Sequence, residues 1–333
     1  MEDIITLDYG SGGKKTSQLI ENLLLPRLLN EELEKLSDGA ILDGSDKLVF
    51  STDSFVVKPY FFPGGDIGKL AVCGTVNDIC MCGGVPKYLS LGLIIEEGLP
   101  LKHLEKIISS ISEAAKECSV TVSTGDTKVV ERGFGDGIYV NTSGIGFLKY
   151  PWLSNKNIRD GDAVIVTGNI GEHGTAVMLA RDGLLSSDSI VSDCAPLIDL
   201  AAKICEYGHS VRVMRDPTRG GIATTLNEFV NGSPFSIEIN EDAVPISPSV
   251  KSACDILGID PLYCANEGRI LFIAAENEAQ SLIDALRKHK DGRDCAMIGH
   301  VTSRFPGKVT VKTPFGGTRI VQKLSGAQLP RIC

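Results

Sequence analysis

Four aspartates stand where apolar segments give way to turns: Asp53 in Ser51-Thr52-Asp53-Ser54, Asp66 after a Gly-Pro-rich loop, Asp78 in Val76-Asn77-Asp78, and Asp126 in Thr124-Gly125-Asp126-Thr127. Dispersed carboxylates suit Mg²⁺, which takes oxygen ligands in octahedral geometry and holds nucleotide phosphates through a few carboxylates. Any one of them serves equally well as a turn or helix-capping residue. Of the four, Asp53, Asp78 and Asp126 form the expected metal set. Two further segments suit an anion. The turn Gly10-Ser11-Gly12-Gly13 leads into a helix whose N-terminus attracts negative charge, and Arg219-Gly220-Gly221 precedes another. Arg219 also reads as a surface ion pair, and Glu267, in Ala265-Asn266-Glu267-Gly268-Arg269, as a turn acid.

Familiar motifs are excluded by counting. A phosphate-binding P-loop ending at Gly13-Lys14 would need glycine at Asp8 and Ser or Thr at Lys15. The dinucleotide fingerprint fails because Ile170 stands at the second glycine after Gly168. Cys80 and Cys82, two apart on a helix, point to different sides and form no zinc pair. Most of the ten cysteines sit in apolar runs and read as buried thiols in a reducing compartment; Cys333, the last residue of the sequence, does not.

At 333 residues, the chain suits two domains better than one core. With 43% hydrophobic and 23% charged residues it reads as globular, and a net charge of -9 disfavours nucleic acid and anionic membranes. A polyanionic ligand would then need a cation or backbone amides. The apolar runs are too short for a membrane helix and the acidic start is unlike a signal peptide, so the expected location is the cytoplasm.

The elements that must carry these residues alternate between strand and helix, so the class is α/β or α+β. A helix over 14–29 follows the glycine turn, a strand over 48–52 delivers Asp53, a helix over 68–82 carries Asn77 and Asp78, and a strand over 120–123 delivers Asp126. The aperiodic stretch 149–159 divides the chain into 1–150 and 151–322. Residues 323–333 match no element and read as a mobile tail, whose ten steps reach about 33 Å when extended.

Taken together, Asp8-Tyr9-Gly10-Ser11-Gly12-Gly13-Lys14, Ser51-Thr52-Asp53-Ser54-Phe55, Val76-Asn77-Asp78, Ser123-Thr124-Gly125-Asp126-Thr127-Lys128, Asp216-Pro217-Thr218-Arg219-Gly220-Gly221 and Ala265-Asn266-Glu267-Gly268-Arg269 resemble the ATP-binding superfamily of aminoimidazole ribonucleotide synthetase, selenophosphate synthetase and thiamine monophosphate kinase. The ending Pro330-Arg331-Ile332-Cys333 is similar to that of its HypE hydrogenase-maturation family. The resemblance implies a two-domain fold, with first-domain sheets pairing across a homodimer. It implies ATP with Mg²⁺, held by Gly10, Gly12, Gly13, Asp53, Asn77, Asp78, Gly125, Asp126, Thr127, Arg219 and Glu267. The implied reaction is ATP-dependent dehydration of a carbamoyl group on Cys333 to a thiocyanate, supplying cyanide to nickel-iron hydrogenase. Lys128 and Glu131 are the candidates for proton transfer, and a solvated ion pair is the competing reading. Implied partners are a HypF-type carbamoyltransferase and the HypC–HypD complex. The alternatives are a kinase or synthetase acting on a small metabolite, which would not use Cys333, and a scaffold needing no ATP.

Overall fold

The computed structural model describes residues 4–11, 13–35, 39–184 and 190–324. Gly12 and Cys333, both expected at the site, lie outside the described residues.

The opening helix forms in pieces. Helix α1, Lys14–Leu19, passes through a π-helical turn at Ile20–Leu24 into α2, Leu25–Leu28. Pro26 has no N–H to offer one turn back, so the regular helical ladder is interrupted here. Strand β1 is Leu48–Phe55, longer than its apolar residues suggest, so Asp53 lies inside the strand rather than beyond it. A two-residue hairpin follows, β2 at Phe61–Phe62 with β3 at Gly65–Asp66. Helix α3, Ile67–Met81, is apolar on nearly all sides and almost wholly buried. Asp66 caps it, accepting from the Gly68 and Lys69 amides at 2.8 and 3.1 Å, so this aspartate has the capping role and is not a site residue.

Strand β4, Gly84–Glu96, is joined by α4, Leu101–Glu117, to β5, Thr121–Val130, and β6 is Ile138–Leu148. The sheet order is β1-β6-β4-β5, with β4 and β5 parallel and the other pairs antiparallel. Asp126, like Asp53, is within a strand, because the ladder continues through the polar Thr124-Gly125-Asp126 as far as Val130.

The second half begins with β7, Ala163–Val166, and α5, Glu172–Arg181, followed by α6, Ile198–Cys205, β8, Val211–Arg215, and α7, Gly221–Phe229. It continues through β9, Ser236–Asn240, α8, Pro248–Leu257, β10, Leu271–Ala274, α9, Glu276–Leu286, β11, Ala296–Thr302, β12, Val309–Lys312, and β13, Thr318–Val321. These strands form a seven-stranded sheet ordered β13-β12-β9-β11-β7-β10-β8. The edge strand β13 has no apolar alternation that would announce it; it forms by pairing antiparallel with β12.

No sheet crosses the 149–159 stretch, yet one apolar cluster does. Val72, Val76 and Leu104 of the first half belong to the same packed cluster as Leu197, Ile204 and Phe272 of the second. Burial of this continuous surface holds the two sheets in a fixed relation and defines the junction where the site forms.

Candidate active site

At the junction, Thr52, Asp53, Gly74, Asp78, Asp216, Thr218, Arg219 and Glu267 line a polar cavity of about 100 Å³. Glycines bring the walls together. A Cβ on Gly74 would stand 2.8 Å from the Phe55 ring, so only glycine lets α3 lie this close to the end of β1, with Asp78 beside Asp53. Gly221 has φ +57° and a Cβ there would stand 2.5 Å from the Cys264 and Leu262 carbonyls. This close approach carries the turn preceding α7, with Arg219, against the segment bearing Glu267.

The electrostatics follow from crowding carboxylates. Burial and the neighbouring Asp78 charge raise the Asp53 carboxyl, with Arg219 opposing. Burial raises Asp78 too, offset by the Ser51 hydroxyl donating to Oδ2 at 2.7 Å and by Arg215 and Arg219. Asp216 is pushed up to about 7, first by burial and then by Asp78. Glu267, 2% exposed, is held well above the usual carboxylate range by burial and by the charges of Cys194, Asp216, Asp193 and Asp53. Four carboxyls around one cavity, opposed chiefly by Arg219 and Arg215, repel an anion unless a cation intervenes.

The all-oxygen donor set suits Mg²⁺, and the raised carboxyls are those a cation would stabilise in ionised form. Among the described residues no three His, Cys, Asp or Glu side chains form a ready-made cage. Mg²⁺ commonly takes a few carboxylates and completes its sphere with phosphate and water, so the arrangement fits the ion as a partner of a phosphate ligand.

The other expected site residues lie elsewhere. Strand register runs from Asp53 to Thr142, to Leu91 and to Gly125, with Asp126 the next residue along. Three strand spacings thus separate Asp53 from Asp126, roughly 14 Å. Within one chain, Asp126 is not a third ligand beside Asp53 and Asp78. It is exposed and paired with Lys128 Nζ at 2.8 Å, and Glu131 is exposed beyond. Neither Lys128 nor Glu131 lines the cavity.

Gly10 belongs to this other edge: its Cβ would stand 2.5 Å from the Val129 amide, so the opening turn lies directly on β5. Gly13 is the N-cap of α1. Gly125, Asp126 and Thr127 line a separate, mostly apolar cavity of about 280 Å³ under α1 and α2. Asn77 faces away from both cavities; its amide is spent on the backbone of the second half. Asp216, with Thr52, Gly74 and Thr218, is at the site without having been placed there by sequence reasoning, and it is the one carboxyl among them. Its signal was its position one residue from Pro217 in the arginine-bearing turn, a place that looks structural until the fold closes.

Fold and site define the class. Residues 36–148 match the N-terminal domain model of AIR synthase related proteins, and residues 159–312 match the C-terminal domain model. The carbamoyl dehydratase HypE of Cupriavidus necator is 45% identical over 332 residues, 99% of this chain and 95% of that protein. A crystal structure of hydrogenase maturation protein HypE in complex with ATP superposes with a TM-score of 0.94 at 45% identity, covering 98% of this chain and 99% of that one. HypE from a HypE–HypF complex gives 0.80 at 46% identity, covering 92% and 99%. The chain belongs to the HypE carbamoyl dehydratase family.

Proposed function

We propose that this chain binds ATP with Mg²⁺ at the junction and uses it to dehydrate an S-carbamoyl group on Cys333 to a thiocyanate, a source of cyanide ligands for nickel-iron hydrogenase. The reading is carried by one cavity that combines carboxylates and an arginine from both halves of a chain in this family. The carbamoyl oxygen takes the γ-phosphoryl group and ADP leaves; one nitrogen proton is lost as the S–C(=NH)–O–phosphate forms. Loss of the second proton and of phosphate then leaves S–C≡N. An amide oxygen is a poor leaving group and a phosphate a good one, which is why the step needs ATP.

Glu267 and Asp216, which line the cavity beside Arg219 and whose carboxyls burial raises, are the bases we assign to the nitrogen protons, since a raised carboxyl accepts a proton more readily. Arg219 holds phosphate oxygens, and Asp53 and Asp78 hold Mg²⁺. The ion, when bound, neutralises phosphate charge. Gly10, Gly13, Gly125 and Thr127, with the 280 Å³ cavity beside them, are available to the rest of the nucleotide. Asp126 lines that cavity too, but Lys128, Glu131 and Asp126 serve the junction cavity only from the β5 edge of a second copy, so the reading includes a homodimer joined through the first sheets.

We divide the chain into a nucleotide-binding and dimerisation domain, 1–150, a second α/β domain, 151–322, and a tail, 323–333. Partners are a HypF-type carbamoyltransferase, which loads Cys333, and the HypC–HypD complex, which takes the cyano group. The proposed compartment is the cytoplasm; among the described residues no helix is long and apolar enough to cross a membrane.

Mass spectrometry of the C-terminal peptide tests the reading. With carbamoyltransferase and carbamoyl phosphate it gains a carbamoyl group, and with ATP that adduct loses one water. Cys333→Ala yields neither product while still binding ATP; an adduct in that variant refutes the assignment.

A further inference from the structure

Asp78 and Glu267 reach the cavity from different halves of the chain, so their separation depends on whatever locks one half to the other. Next to Asp78 on α3, Asn77 is fully buried and is spent wholly on the second half. Its Oδ1 accepts from the Leu197 amide at 2.8 Å, and its Nδ2 donates to the carbonyls of Ala195 at 3.1 Å and Glu267 at 3.4 Å. The same loop grips Glu267 a second time. Asp193, with no side-chain surface exposed, accepts from the Glu267 amide at 3.1 Å and the Gly268 amide at 3.2 Å. A Cβ on Gly268 would fall 1.8 Å from the Asp193 carbonyl, so the cradle closes only around glycine.

We propose that Asn77 is a positioning residue. Through the loop from Asp193 to Leu197 it fixes the Glu267 backbone relative to Asp78, setting the distance between the metal-binding carboxylate and the proton-accepting one. This inference rests on the assignment of Glu267 as a base. A side chain of this length and two-sided polarity suits the task, since a carboxamide offers two N–H donors for the two carbonyls and an oxygen acceptor for the Leu197 N–H. Asp193 completes the device from the other side. Its carboxylate is held by two amides and by the Arg269 guanidinium at 3.7 Å, so the clamp is itself anchored.

A clamp of this kind acts on the chemical step more than on nucleotide capture, because Asp53 and Asp78, which would hold the cation, stand on β1 and α3 and do not depend on the loop's grip on Glu267. The experiment follows dehydration of the carbamoylated full-length chain in a single turnover, recording the maximal rate and the half-saturating ATP concentration. Three variants are compared: Glu267→Gln, Asn77→Ala and Asn77→Asp. The last is nearly isosteric, keeps the acceptor for Leu197 and removes the donors to Ala195 and Glu267, so it tests the idea even where Asn77→Ala fails to fold. Both Asn77 variants should lose about 100-fold in maximal rate, the scale expected when a catalytic group is displaced by an ångström, with half-saturating ATP changed less than threefold. An Asn77→Asp protein with a normal maximal rate overturns the proposal, as does one whose half-saturating ATP rises as steeply as its rate falls, since that marks a general loosening of the junction. A Glu267→Gln protein with a normal rate overturns the assignment of the base instead. Retained activity in Asn77→Asp alongside an inactive Glu267→Gln overturns the clamp alone.

Discussion

Asp78 of the first half and Asp216 of the second face one cavity, and the Asp78 charge, added to burial, pushes the Asp216 carboxyl up to about 7. In the unfolded chain an aspartate titrates near 3.9, so between roughly pH 4 and 7 the folded state holds a proton that the unfolded state has lost. The contribution is fully present below that window and disappears as pH rises through it. Thermal stability of the ligand-free protein should therefore fall across this range. Asp216→Asn, which cannot titrate, should flatten the decline, with the other raised carboxyls, Glu267, Asp53, Asp78, Asp66 and Glu172, supplying what remains. Melting temperatures at a series of pH values check this; an unchanged slope in the variant would show that Asp216 is not protonated in the fold.

The same crowding makes nucleotide capture depend on a cation. ATP binding measured by calorimetry in the presence of Mg²⁺ should weaken at least tenfold in Asp78→Asn, the scale of losing one charged contact of about 1.5–3 kcal/mol. Chelation of the metal should weaken binding in the wild type as well. If affinity survives both treatments, the nucleotide's phosphates are held somewhere else.

How far the site could be read from the chain differs residue by residue. Asp53 and Asp78 were visible because each stands where an apolar segment gives way to a turn, and Arg219 because it precedes a glycine helix start; Glu267, a turn acid by itself, entered only through the resemblance. Asp126 stood at the same kind of boundary as Asp53, yet it lies on the far edge of the sheet from Asp53, because chain order says nothing about the β1-β6-β4-β5 order of the strands. The resemblance put Asn77 on the ligand together with Asp78. One residue further round a helix points about 100° away, which here turns it toward Ala195 and Leu197. Most helices and strands of the second half could be placed from periodicity, whereas β13 could not, since a short edge strand takes its structure from the neighbour it pairs with.

Outside the site, Arg212 and Asp162 form a nearly buried ion pair, with Nε and Nη2 on the two carboxylate oxygens at 3.1 and 3.2 Å. It ties β8 to the turn that leads into β7, and the Asp162 carboxylate also accepts from the Arg159 amide at 2.8 Å. Removing one partner leaves a charge in the interior without compensation. Asp162→Ala should lower stability by about 3–5 kcal/mol, read from the urea midpoint with an unchanged slope. A loss below about 1 kcal/mol would mean that water reaches the guanidinium.

The first sheet leaves one face without cover. Leu48 and Phe50 of β1 and Ile94 of β4 are 52%, 68% and 45% exposed on it, and Tyr88 and Phe147 pack edge-to-face beside them. Strands β1 and β5 each have a single strand neighbour in the described sheet, and the β5 edge is overlaid by the opening turn at Gly10 and by Asn30, whose Nδ2 donates to the Val122 carbonyl at 2.8 Å. An exposed apolar face of this kind is the surface a second copy of the chain would cover, burying its rings against the partner's. Phe50 is therefore the residue to change. It contributes little inside one chain, while two copies bury two such rings, roughly 3 kcal/mol or more in total, so Phe50→Asp should weaken association by more than about 100-fold. Sedimentation velocity should show the wild type as a dimer and the variant as a monomer at micromolar concentration, with the helix and strand content of the two indistinguishable by circular dichroism. A variant that remains dimeric with an unaltered dissociation constant would exclude this face as the interface, and with it the route by which Lys128 and Asp126 of one copy reach the cavity of the other.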